Sequence, residues 1–104
     1  MVTVVPLKKA PTKRQAQDII RKLAGDGQVS FSAHSSKRKR QRKITTIQIL
    51  NCLKVGYVTD EPVQSLTYQG WETTVVGNVA GETLNVGVCL RWSQDVLVIT
   101  CYHI

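Results

Sequence analysis

The sequence predicts an α+β fold, with N-terminal helices packed on one face of a roughly four-stranded antiparallel sheet. Apolar residues recur at helical spacing as far as Gly56 and at alternate positions beyond it. The chain has 104 residues, 42% of them hydrophobic, which is enough for one domain with one modest core. Residues 1–104 are therefore read as a single domain, and residues 1–10, which carry no clear period, as a flexible arm.

Thr12-Lys13-Arg14-Gln15 has the T-x-x-Q form of a capping box, which satisfies orphan N–H groups at a helix start. Ala16, Ile19, Ile20 and Leu23 follow at i, i+3, i+4 and i+7, so a helix is expected from about Lys13 to Ala24. Gly25 supplies its left-handed stop. Gln28 to Ser32 alternates and reads as a short strand or extended segment. Residues 34–43, H-S-S-K-R-K-R-Q-R-K, contain no apolar side chain. Their helix propensity is fair, but nothing in the run drives packing.

A second capping box, Thr45-Thr46-Ile47-Gln48, opens the best-defined helix. Ile44 and Ile49 are placed to form a hydrophobic staple, and Ile47, Leu50 and Leu53 to continue a buried stripe to Gly56. Leu84, Val86, Val88, Leu90 and Trp92 then alternate as a half-buried strand. Val96 to Tyr102 is rich enough in Val and Ile for a central strand. Thr73 to Val79 is a third, joined to the next strand by Ala80-Gly81. The fourth is either Leu66 to Tyr68 or the stretch around Tyr57 to Val63, and Ser93-Gln94-Asp95 is the last turn.

The net charge of +7 is unevenly placed. Residues 1–43 hold twelve Lys and Arg against Asp18 and Asp26, a net +10, whereas residues 44–104 come to −3. A basic surface on a near-neutral body suits a polyanion, either nucleic acid or an anionic protein. Cys52, Cys89 and Cys101 are odd in number and lack C-x-x-C spacing, which argues against a disulfide framework or a structural zinc site. They read as small buried hydrophobes in a reducing compartment. The run M-V-T-V-V-P-L is short for a secretory signal, and no apolar stretch approaches the roughly 20 residues that span a bilayer. A cytoplasmic protein without membrane association, cofactor or bound metal is the expectation.

No phosphate-binding loop, H-E-x-x-H, nucleophile elbow or EF-hand loop is present. His34, Arg38 and Arg42 stand at i, i+4 and i+8, so a helix over this segment lines them along one side, drifting about 40° per step. A titratable imidazole beside two guanidiniums suits a phosphodiester: the arginines fork onto its oxygens and the imidazole moves a proton. The same run read without a reaction is a solvated basic face or an unspecific polyanion patch.

The segment F-S-A-H-S-S-K-R-K-R-Q-R-K-I-T-T-I-Q-I-L resembles the opening of the domain of unknown function 4258 family. That family shows F/S-x-H, then H-x-x-x-R-x-x-x-R-x-I, then a capped helix. Its closing apolar strand, ending in a T-x-Y-like pattern, is matched by V-L-V-I-T-C-Y, residues 96–102. The likeness runs from Val29 to Tyr102 in the family's order. The family is similar to the barnase–EndoU–colicin–RelE superfamily of small ribonucleases, many of them toxins. The resemblance implies metal-independent RNA cleavage with the 2′-OH as nucleophile. His34 is then a general acid or base, and Arg38 and Arg42 hold the phosphate. Thr100 and Tyr102 donate hydrogen bonds or complete the acid/base pair. His103 matches no family position, and as the strand neighbour of Tyr102 it is expected on the opposite face.

Two positions depart from the family pattern: Ser35 replaces its usual Ala, and Lys39 its apolar residue. Lys37, Lys39, Arg40 and Lys43 exceed what the motif needs and are read as nucleic-acid-binding. RNA is the expected partner, with an acidic antitoxin-like protein as a second. The alternatives to the ribonuclease are a non-catalytic nucleic-acid-binding module and a mobile-element inhibitor that docks its basic face on a protein or ribonucleoprotein.

Overall fold

Helix α1 (Lys13–Gly25) opens on the expected capping box: Gln15 N–H donates to Thr12 Oγ1 at 3.1 Å and Thr12 N–H to Gln15 Oε1 at 2.9 Å. The computed structural model describes residues 10–92 and 94–104, so the expected arm, apart from Ala10, and Ser93 of the expected turn lie outside the described residues. Ala16, Ile20, Leu23 and Ala24 are buried. The helix stop is Gly27, not Gly25. Gly27 has φ +75°, and its N–H and that of Gln28 donate to the Ala24 and Leu23 carbonyls, the two bonds of a Schellman motif. Leu23 and Ala24, whose carbonyls close the motif, are both in the core.

Strand β1 (Val29–Phe31) leads into α2 (Ala33–Gln41), capped by Ser32, whose Oγ accepts from Ser35 N–H at 3.0 Å. Within α2 only Ser35 is buried, as a run without apolar residues requires. It ends through the same motif as α1, with Lys43 at φ +54° and Ile44 N–H donating to the Lys39 carbonyl at 2.9 Å. Helix α3 (Thr46–Val55) repeats the capping box at Thr45 and Gln48. Ile44 and Ile49 are both buried, in accord with the staple. The staple sets the phase, so Ile49, Cys52 and Leu53 face inward while Ile47, expected in the stripe, is 71% exposed.

The sheet is mixed and six-stranded, where about four antiparallel strands were expected. Its order is β1-β6-β5-β4-β2, with the two-residue β3 (Val63–Gln64) also on β4. Strand β2 (Tyr57–Val58) pairs with Val75 and Val76 of β4 (Gly70–Val79), so the weaker of the expected strands falls in the Tyr57 to Val63 stretch. Strand β5 (Glu82–Arg91) returns through Ala80 and Gly81, both at positive φ, as a two-residue hairpin of this twist requires. The β1 pairing is the real departure. It runs parallel to β6 (Val96–His103), with Val29 to Phe31 opposite Val96 to Val98. Parallel neighbours need a long crossover, and here α2, α3 and β2 to β5 all lie between them.

Helix residues Ala16, Ile20, Ile49, Cys52 and Leu53 form one core with Val75, Leu84, Val86, Val88, Leu90, Val96 and Val98. A Cβ at Gly77 would stand 3.0 Å from the Cys52 sulfur and 3.2 Å from Gly56 Cα, so glycine there lets α3 sit close on the sheet. The cysteines are all free and buried, and burial pushes the Cys52 and Cys89 thiols up to about 11. Among the described residues, no helix is long and apolar enough to cross a membrane.

Where β1, β5 and β6 meet, Arg91 Nε–H donates to Asp95 Oδ1 at 2.6 Å, and Arg91 Nη2 and Ser30 Oγ both donate to Oδ2. The Arg91 bonds hold the Asp95 carboxyl below the ordinary carboxylate range, and Ser30 acts in the same direction against the cost of burial. A carboxyl depressed in this way adds stability above its unfolded pKa, and that stability is lost as pH falls through the folded one. Urea unfolding midpoints from about pH 6 to about pH 2 should therefore show a steeper acid loss in the wild type than in Asp95→Asn. Parallel acid limbs would show that the pair contributes nothing.

Candidate functional site at the edge of β6

Strand β1 pairs with only the first three residues of β6, which leaves the carbonyl edge of the rest to be covered otherwise. Helix α2 covers it. Ser32 N–H donates to the Val98 carbonyl at 3.0 Å, Ser32 Oγ to Ile99 at 3.3 Å, and Arg42 Nη1 to Cys101 at 2.8 Å. A helix whose one apolar side chain, Ala33, is exposed is thus docked by hydrogen bonds to a strand edge, which satisfies acceptors that would otherwise invite another strand.

This docking decides where the expected site residues lie. His34 and Arg38 are one turn apart on α2, with Arg38 Nε–H donating to His34 Nε2 at 3.4 Å. Arg38 Nη1 also reaches Gln41 Oε1 at 3.0 Å. One turn further, the Arg42 guanidinium lies 5.7 Å from the centre of the Tyr102 ring, within cation–π range. The structure thus brings together two pairs on adjacent turns, His34 with Arg38 and Arg42 with Tyr102.

Thr100 shares a face of β6 with Tyr102, two residues along, but lines a separate cleft. Residues opposite one another share a face, so Thr100, Gly87 and Thr74 stand together on the sheet face away from the helical core. There they line a shallow cleft of about 410 Å³ with Asp60, Glu61, Glu72 and Ile99. A Cβ at Gly87 would stand 2.9 Å from Thr100 Cγ2, so glycine makes room for that side chain. The register shift beside Gly87 leaves Ile99 as the extra residue of a bulge. None of His34, Arg38, Arg42 or Tyr102 lines this cleft. Its carboxylates give it the opposite charge character to α2.

His103, expected on the face away from Tyr102, also meets Arg42: its Nε2 is 3.2 Å from the Arg42 carbonyl oxygen. Both contacts occur because Arg42 sits beside the strand edge rather than over a face, so main chain and guanidinium straddle β6. Alternation along one strand could not indicate this.

The surplus cations divide into two kinds. Lys37, Arg40 and Lys43 are exposed. Lys39 instead donates to Thr46 Oγ1 at 2.6 Å and stands 4.8 Å from the centre of the Phe31 ring, so it ties α2 to α3 and β1. Arg21 is likewise structural, donating from Nη2 to the Gly56 carbonyl at 2.9 Å. Among the described residues, no three His, Cys, Asp or Glu side chains gather as metal ligands would. Compared with protein-family models, curated proteins and solved structures, the chain matches none at a significant level.

Proposed function

We propose that this chain is a small metal-independent endoribonuclease of the RelE-like toxin type, acting at the α2–β6 edge. The observation that carries the reading is the pairing on adjacent turns: an exposed imidazole beside Arg38, then a guanidinium held over a phenol. The resemblance of residues 29–102 to the domain of unknown function 4258 family supports it. In this reading His34 takes the proton from the RNA 2′-OH. The freed oxygen bonds to the adjacent phosphorus as the bond to the 5′ oxygen breaks, and Tyr102 supplies that oxygen with a proton. Arg38 and Arg42 stabilise the charge that develops on the phosphoryl oxygens. Lys37, Arg40 and Lys43 hold the flanking phosphates. Thr100, set among carboxylates on the sheet face, is given no part in the reaction.

The test is incubation of purified protein with mixed-sequence single-stranded RNA in EDTA. Products ending in 2′,3′-cyclic phosphate are expected, and intact RNA at every protein concentration would overturn the assignment. A second reading, RNA binding without cleavage, is favoured by one observation: Arg42 already spends a donor on the Cys101 carbonyl. Either reading expects affinity to fall steeply with salt, by about 0.7 in log K per phosphate contacted for each unit of log salt. Filter binding of wild type and Arg40→Ala across a salt series measures it, and the variant should have the shallower slope. Under the binding-only reading Arg40→Ala and Lys37→Ala impair function as much as His34→Ala does.

A further inference from the structure

The chain has two histidines, and the second has a geometry of its own. Both ring nitrogens of His103 face acceptors: Nε2 the Arg42 carbonyl at 3.2 Å, Nδ1 the Glu82 carboxylate at 3.6 Å. Neither a carbonyl nor a carboxylate has a proton to give. Nε2–H donates to the carbonyl, and protonation of the ring adds an ion pair with Glu82 at a separation longer than a hydrogen bond. Arg42 is the C-cap of α2, so its carbonyl lies at the negative end of the helix dipole, where a cation is favourable.

The other end of the same residue is held too. Arg42 Nη1 donates to the Cys101 carbonyl and its guanidinium lies over the Tyr102 ring. Three successive residues of β6 therefore grip one arginine. The charged groups that meet the imidazole are Glu82, at the start of β5, and Arg42, at the end of α2; Gln48 of α3 reaches the same Glu82 carboxylate at 3.5 Å. We propose that His103, backed by Glu82, is a positioning residue that holds the end of α2 so that Arg42 meets an RNA phosphate. This inference rests on the reading of α2 as an RNA-binding helix.

The ion pair with Glu82 needs the protonated ring, so the clamp is tighter with the imidazolium than with the neutral ring. It loosens as the ring loses its proton. Replacing His34 with Gln leaves His103 as the only titrating imidazole and removes the proposed base. In that background, binding of a mixed-sequence single-stranded RNA oligonucleotide should weaken roughly three- to tenfold from low to high pH. The further change His103→Gln keeps one donor for the Arg42 carbonyl and should leave the affinity flat with pH. Equal pH dependence with and without His103 would overturn the proposal.

Hydrogen exchange separates this failure from failure of the ribonuclease reading, because it needs no RNA. The Arg42, Lys43 and Ile44 amides donate to the Arg38, Arg40 and Lys39 carbonyls. Corrected for intrinsic rates, their protection should fall roughly three- to tenfold in His103→Ala and in the wild type at high pH. Unchanged protection in both would overturn the clamp, whatever the RNA assays give. A pH-sensitive clamp in a protein that binds no RNA would overturn only the role given to Arg42.

Discussion

His34→Ala should lower RNA cleavage by about 10²- to 10⁴-fold, the usual worth of a positioned general base, while RNA affinity changes only a few-fold. The two effects separate because of where the side chain lies. His34 is exposed on the first turn of α2, and the docking bonds of that helix are made by Ser32 and Arg42. Removing the imidazole leaves the strand edge covered and the cationic side chains in place. The variant should therefore unfold within about 0.5 kcal/mol of the wild type, as surface substitutions do. Single-turnover cleavage, filter binding and urea unfolding on one preparation measure the three quantities. Comparable loss of binding and cleavage would assign His34 to RNA contact rather than to proton transfer.

Gly70→Ala should destabilise the fold by about 3 kcal/mol or more, at the upper end for an overpacked site. A Cβ there would overlap the Leu90 carbonyl oxygen and stand 2.7 Å from the Cys89 sulfur. The first obstacle is backbone in the neighbouring strand, so no rotamer change relieves it. Gly70 also anchors the preceding loop, since its carbonyl accepts from Ser65 N–H at 2.8 Å. For a chain of this size the loss corresponds to a fall in Tm of about 12 to 24 °C. Gly25→Ala is the control: nothing lies within 4 Å of the added Cβ and the backbone is helical, so stability should hold or rise slightly. Thermal melts in which both variants behave alike would refute the steric argument.

What the sequence made legible follows from the range over which each cause acts. Capping boxes and the staple are written within five residues, and the Thr12, Thr45 and Ile44 assignments agree with the structure. The stop at Gly27 was missed because either glycine fits the composition and only backbone geometry separates them. Strand β1 beside β6 was illegible for a different reason. Its partner lies more than sixty residues along the chain, and three residues carry no sign of parallel pairing. The docking of α2 left no hydrophobic pattern at all, because it works through main-chain carbonyls of β6. So the histidine and arginines were visible as a spacing, whereas the cleft that Thr100 lines and the grip on Arg42 belong to the tertiary structure. Only a strand-level model placing Thr100 opposite Gly87 would have put Thr100 in the cleft it lines.

The parallel β1–β6 ladder also sets a time of assembly. Pairings this distant in sequence form slowly, because a long loop must close before any contact rewards it. On the ribosome α1, β1 and α2 emerge well before Val96 to His103, so α2 has no carbonyl edge to dock on until β6 has been made. The His34–Arg38 pair exists in any helical α2. The Arg42 grip, by contrast, waits for the strand that supplies Cys101, Tyr102 and His103. A nascent chain that stalls before that strand carries the basic helix without the Arg42 grip, so β6 acts as the switch that completes it.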